Sequence, residues 1–250
     1  MSFKNKKTGI IIILIMILSL SGCGWWKDYF SRNKRIGNTP EIQYQTGIAA
    51  YQEGRYKRAI EHFTKVKEQF PLDPLALMAE LGIGDAHFSD GQYGEAELAY
   101  TDFLNLHPTN ENIPYVMYQI GICHFNQSLS VDRDQTETVR TAKDFERLIA
   151  RYPTSKFAFM AEKKLLECRQ KLAENEFLIG EFYFKRGKYK AALGRFEFLA
   201  KNYPSLGFDY QANQYIAETK KRLAEENVKR AKGLLKERKE DPQNRATGSW

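Results

Sequence analysis

Three cysteines and four histidines in 250 residues leave little material for thiol or metal chemistry. The histidines, at positions 62, 87, 107 and 124, show no metal-ligand spacing with Cys, Asp or Glu. There is no G-x-S-x-G, no phosphate-cradling glycine loop and no Cys/His pair in a nucleophile frame. The sequence therefore reads as a non-enzyme without metal or cofactor. A cell-wall enzyme would need a cleft assembled from carboxylates, and these track solvent-facing helix positions instead. Long apolar runs are lacking too. The run from Ile10 to Leu20 is 11 residues, and a membrane-spanning helix needs roughly 20.

That run does have a role. Lys4, Lys6 and Lys7 precede it and small residues come after it, the layout of a secretory signal over residues 1–22. Length and flanks both oppose an uncleaved anchor. Leu20-Ser21-Gly22-Cys23 resembles the bacterial lipobox. The resemblance implies a diacylglycerol on the Cys23 thiol, cleavage before it, and an acylated mature N-terminus. Several acyl chains on one residue meet the requirement for stable anchoring. Gly24 stands where an Asp commonly marks inner-membrane retention, so the same resemblance implies the periplasmic face of the outer membrane. Residues 23–38 then form a tether whose Trp25 and Trp26 sit at headgroup level or pack on the first helix hairpin. Residues 241–250 have the composition of a disordered tail.

Loss of residues 1–22 removes three lysines and no acid, lowering the formal charge from +7 to +4. Lys220 to Glu240 alone holds nine Lys/Arg against four Glu. A basic helix over 207–240 can meet nucleic acid, anionic lipid or an acidic partner, or simply be a solvated face. Export sets nucleic acid aside. Cys123 and Cys168 fall in helical segments, and the periplasm permits a disulfide between them. Buried thiols are the commoner state of cysteine in an apolar run such as Ile120 to Cys123.

The strongest signal is an internal repeat. Gly47, Gly84 and Gly180 each precede a proline, at 71, 108 and 204, by 24 residues. Within those frames an A-x3-aromatic element recurs as Ala59/Phe63, Ala96/Tyr100 and Ala192/Phe196. A turn recurs as Gly54-Arg55-Tyr56, Gly91-Gln92-Tyr93 and Gly187-Lys188-Tyr189. These are the positions of the 34-residue tetratricopeptide pattern. The first Gly lets two helices approach, the Ala sits at their crossing, and the aromatic fills the gap toward the next hairpin. The second Gly ends the first helix, and Pro stops the second. A third copy runs from Gly121 to Pro153, eight residues too long, with the surplus in Asn126–Thr138 and Thr141 replacing Ala. Thr154 to Leu172 carries no Gly or Pro and forms an extra helix or runs on into the next. The expected fold is an all-α tetratricopeptide-repeat superhelix over 39–206, about ten helices or five hairpins, with the basic helix after it. One hairpin cannot bury its own apolar face, so stacking is obligatory.

The first helix of each repeat lines the concave face of such a solenoid, and residues at i, i+4 and i+7 share a face. Counting from each Gly and Pro places Tyr44, Ile48 and Tyr51 there, then Leu81, Asp85 and Phe88, then Tyr118, Ile122 and Phe125, with Tyr115 one turn earlier. An aromatic-lined groove suits an extended peptide with an aromatic end. With the frame off by one position, the same rings become inter-helix core.

Asn112 to Tyr118 with His107-Pro108-Thr109, then Val131 to Asp134, Phe145, and Tyr152 to Ser155 resemble the BamD family of outer-membrane protein assembly lipoproteins. The region after Pro204 matches that family least. The resemblance implies a subunit that holds a BamA-like barrel protein and unfolded outer-membrane protein clients, using no nucleotide or cofactor. The positive charge concentrated at Lys220, Lys221, Arg222, Lys229, Arg230 and Lys232 points to docking on an acidic surface of that barrel protein's periplasmic region. The rival in the same compartment is a repeat lipoprotein for pilus secretin assembly or peptidoglycan co-ordination.

Overall fold

The computed structural model describes residues 38–240, with side chains to residue 235. The signal, Cys23, the tether to Gly37 and the tail from Asp241 lie outside the described residues. Among those described there are nine α-helices and no strand: α1 Pro40–Gln52, α2 Tyr56–Gln69, α3 Pro74–Ser89, α4 Tyr93–Leu106, α5 Ile113–Gln127, α6 Thr136–Arg151, α7 Lys156–Lys185, α8 Tyr189–Asn202 and α9 Asp209–Glu240. Two compact units divide the chain, one ending at Phe103 and one beginning at Leu104. No helix among the described residues is long and apolar enough to cross a membrane.

Local chemistry sets the helix ends. Thr39, Asp73 and Ser155 cap α1, α3 and α7 by accepting hydrogen bonds from the amides of Ile42, Leu75 and Phe157. Pro40 and Pro74 come directly after the first two caps, where a missing amide proton costs nothing. Each second helix stops two residues before its proline: α2 before Pro71, α4 before Pro108, α6 before Pro153 and α8 before Pro204. The residue between cannot stay helical against the proline ring. Gly54 ends α1 at φ 72°, its amide donating to the Tyr51 carbonyl and that of Arg55 to the Ala50 carbonyl. The same pair of bonds recurs at Gly91 and Gly187. A side chain at such a φ is strained, which is why the turn uses glycine.

The core of each hairpin is one contact repeated. A Cβ on Gly47 would lie 2.7 Å from the Phe63 ring, on Gly84 2.6 Å from Tyr100, on Gly121 2.5 Å from Phe145 and on Gly180 2.7 Å from Phe196. All four rings are fully buried. The ring therefore sits on the glycine of its own hairpin. Phe63 also meets the next hairpin, 2.8 Å from a Cβ on Gly82. Ala59, Ala96 and Ala192 are buried at the crossings. Thr141 takes that place in the third hairpin, its hydroxyl donating to the Glu137 carbonyl.

The second unit departs from a count of ten. Thr154 to Leu172 does not form a helix of its own. It runs on as α7, 30 residues long, because nothing between Lys156 and Lys185 breaks the hydrogen-bond ladder except Gly180, which a helix tolerates. One end of α7 meets α5 and α6 through Phe157 and Arg169. The other meets α8 through Phe177 and Gly180. The inserted loop is tied down by Asn175 Nδ2 donating to the Val131 carbonyl at 2.6 Å and Lys171 Nζ to Ser128 Oγ at 3.0 Å. Cys123 and Cys168 are separate buried thiols, not a disulfide. Burial pushes the Cys168 thiol up to about 11, so it is inert as a nucleophile.

Candidate functional site

The six candidate rings are all half-buried and fall into registers relative to the hairpin glycine. Tyr44 and Tyr118 stand three residues before it and lean on the buried ring of their own hairpin. The Tyr44 centroid is 5.6 Å from Phe63 and that of Tyr118 is 5.8 Å from Phe145. Burial raises the pKa of both phenols, with Asp85 adding to the effect at Tyr44. Tyr51, Phe88 and Phe125 stand four residues after the glycine. Tyr51 meets Tyr56 edge-on at 5.6 Å and Phe88 meets Tyr93 at 5.4 Å, so in the first two repeats the last turn of one helix stacks on the first residue of the next. The Tyr51 hydroxyl shares a 2.8 Å hydrogen bond with Ser89. Phe125 has no such neighbour beyond its long loop, and Lys164 Nζ lies 4.3 Å over its ring instead. Tyr115 packs on Phe157 at 5.4 Å. Each of the six residues is thus partly packed and partly exposed.

Of the other residues in that frame, Ile48 and Ile122 are half-buried, Leu81 is buried, and Asp85 accepts a 2.6 Å hydrogen bond from the Tyr100 hydroxyl. Asp85 serves the hairpin interior, where α4 lays Tyr100 against α3.

The fourth repeat contributes rings that sequence reasoning passed over. Phe177 stands three residues before Gly180 and Phe184 four after. Phe177 meets Phe196 at 5.8 Å and Phe184 meets Tyr189 at 5.6 Å, the same two registers. Applying the counting rule to the fourth glycine would have found both. Beside them a cleft of about 410 Å³ opens between the inserted loop, α7 and α8, lined by Asp132, Leu178, Phe182 and Arg195 among others. Its apolar floor is partly open, Phe182 being 50% exposed. Only the tertiary fold brings Asp132 to these helices.

The six candidate cations of α9 divide into two sets. Lys220 pairs with Glu197 of α8 at 3.0 Å, Arg222 with Glu218 at 2.7 Å and Arg230 with Glu226 at 3.3 Å. Lys221, Lys229 and Lys232 are exposed and in no ion pair among the described residues. α9 is held to the second unit by its first half. There Tyr215 stacks on Phe196 at 4.7 Å and its hydroxyl donates to Glu181 at 2.7 Å. That bond, with Lys185 nearby, holds the Glu181 carboxyl below its ordinary range. From Ala224 to Leu235 every residue is exposed, Val228, Leu234 and Leu235 included. This half offers charge and apolar surface together.

No group of three or more His, Cys, Asp or Glu among the described residues could hold a metal ion.

A family described as YfiO, outer membrane lipoprotein, matches residues 37–235. The chain is similar to the outer membrane protein assembly factor BamD of Caulobacter vibrioides, 31% identical over 197 residues, 78% of this chain and 64% of that relative. It is also similar to the factor of the same name from Rickettsia prowazekii, 31% identical over 215 residues, 86% of this chain and 84% of the relative. The Vibrio cholerae counterpart is 26% identical over 202 residues, covering 76% and 81%. Among solved structures, that of MamA protein is similar at 19% identity with a TM-score of 0.39, over 78% of this chain and 96% of the other.

Proposed function

The chain belongs to the YfiO family of outer membrane lipoproteins, and from that premise we propose that it is a non-catalytic assembly factor for outer-membrane β-barrel proteins. The observation that carries this reading is the match to relatives named as such factors along most of the chain. The helix-hairpin repeats support it, since stacked hairpins present an extended surface on which polypeptide can be held. The anchor is an acylated Cys23 on the periplasmic face of the outer membrane. The partners are a BamA-like barrel protein and unfolded outer-membrane protein clients, and no cofactor or nucleic acid takes part.

Two surfaces divide the work. Tyr44, Tyr51, Phe88, Tyr115, Tyr118 and Phe125 receive client segments on their exposed parts. Each ring pair formed with a client aromatic adds roughly 0.5–1.5 kcal/mol beyond area burial. Lys220, Lys221, Arg222, Lys229, Arg230 and Lys232 dock the barrel protein. Lys221, Lys229 and Lys232 carry most of this docking, since among the described residues they have no ion pair to break. Co-purification in mild detergent is the test. A BamA-like protein should accompany the wild type and be lost on charge reversal of Lys221, Lys229 and Lys232, more steeply at low salt. Recovery of a secretin or of cell-wall fragments in its place would defeat the reading.

A further inference from the structure

In the first unit a groove of about 330 Å³ runs between α2, α3 and α4. Its apolar surface comes from Ile60, Ile83 and Leu98, and Leu98 is left 64% exposed. Around it stand four carboxylates, Glu68, Glu80, Glu95 and Asp102, against a single lysine, Lys67. Glu68, Glu95 and Asp102 are in no ion pair among the described residues. An open leucine ringed by unneutralised acids calls for an occupant that is both apolar and cationic.

The chain carries such a segment close by. Residues 24–37 hold Trp25, Trp26, Tyr29 and Phe30 with Lys27, Arg32, Lys34 and Arg35, and one acid, Asp28. The place where this segment joins the fold is fixed. Asn38 Nδ2 donates to Gln69 Oε1 at 2.9 Å, and Gln43 Nε2 donates to Asn38 Oδ1 at 3.2 Å. Gln69 is the last residue of α2, whose preceding residues Lys67 and Glu68 already line the groove. Fourteen residues reach roughly 46–50 Å when extended, while α4 is only about 21 Å long. Reach is therefore ample. A segment tethered at the groove's edge also docks at high effective concentration, so modest contacts suffice.

We propose that residues 24–37 dock into the groove between α2, α3 and α4, their rings covering Leu98 and their cations facing Glu68, Glu95 and Asp102. This goes beyond the assembly role and does not depend on the barrel partner or the clients. Its consequence for the membrane rests on the acylation of Cys23 proposed above: the docked segment then holds the first hairpins at a set distance from that anchor.

The test uses the full-length protein in membranes, with a benzophenone amino acid replacing Leu98 and, as control, Leu72, which is 98% exposed and does not line the groove. Photolysis at 98 should give an intramolecular crosslink mapping within residues 24–37, and photolysis at 72 should not. Charge reversal of Glu68, Glu95 and Asp102, all on the surface, should lower the yield about tenfold at low salt, the combined effect of three exposed ion pairs. Crosslinks from 98 to a second copy, to another protein or to lipid would overturn the proposal. Equal yields at 98 and 72, or a yield indifferent to the charge reversal, would overturn it as well.

Discussion

The first hairpin, α1 with α2, and the third, α5 with α6, place a buried phenylalanine on a glycine in the same way and close by different means. Gly47 lies under Phe63 and Gly121 under Phe145, at nearly equal separations. The first closes in three residues, Glu53 to Arg55, on a left-handed glycine. The third takes eight, Ser128 to Gln135, with no positive φ. Each doubling of loop length costs only about 0.6 kcal/mol, so the longer loop costs little. Its bonds from Asn175 and Lys171 offset that cost. The hairpin is thus specified by the ring-on-glycine contact, and the loop is free to vary and to acquire the cleft around Asp132.

The largest expected effect bears directly on that equivalence. Phe63→Ala and Phe145→Ala should each destabilise by about 3–5 kcal/mol, measured by urea unfolding. A markedly smaller loss for Phe145→Ala would show that the inserted loop, and not the ring, holds the third hairpin. Next come Gly47→Ala and Gly121→Ala, each forcing a methyl against a confined ring at about 1–3 kcal/mol. Thermal melts that barely moved for either would mean the ring shifts freely, contrary to its full burial.

The closures should then separate the two hairpins. Gly54→Ala puts a side chain at φ 72° and should cost about 1–2 kcal/mol. Asn175→Ala should cost about 0.5–1.5 kcal/mol and speed hydrogen exchange between residues 128 and 135 alone. Exchange quickening throughout α6 would instead make the loop part of the core.

The smallest effect is one of pH. The residue before the buried ring reaches back to the first helix in both hairpins, as His62 to Gln43 at 2.8 Å and as Asp144 to His124 at 2.6 Å. Burial, with Lys65 and Arg58 nearby, lowers the His62 pKa below its ordinary 6.5. The folded state therefore favours neutral His62. Its contribution is fully present above pH 6.5 and is lost as pH falls through the lowered folded value. His62→Gln should flatten the stability curve across that window. An unchanged slope would place the acid sensitivity elsewhere.

Much of this architecture was legible in the residues, and the reasons are local. Glycines at 54, 91 and 187 and prolines at 71, 108, 153 and 204 act on their own backbone, so helix ends followed from position alone. The candidate site was legible only as a set of rings. Whether Tyr51 stays partly exposed while Leu81 is buried depends on which helices cover each, and helix coverage is not a local property. Phe177 and Phe184 obey the same count from Gly180 and so are as legible in the residues as the other six rings.

The amino-acid sequence by itself determined that this chain folds as helix hairpins, where most of them begin and end, and which glycine and ring form each core. Those outcomes rest on backbone stereochemistry and on periodicity within one or two turns. The continuity of α7, the separate burial of Cys123 and Cys168, the cleft beside Asp132 and which cations of α9 pair among the described residues were decided only by tertiary structure. Each depends on residues distant in sequence meeting in space. Burial, pairing and exposure are settled by those neighbours and not by the chain's own spacing.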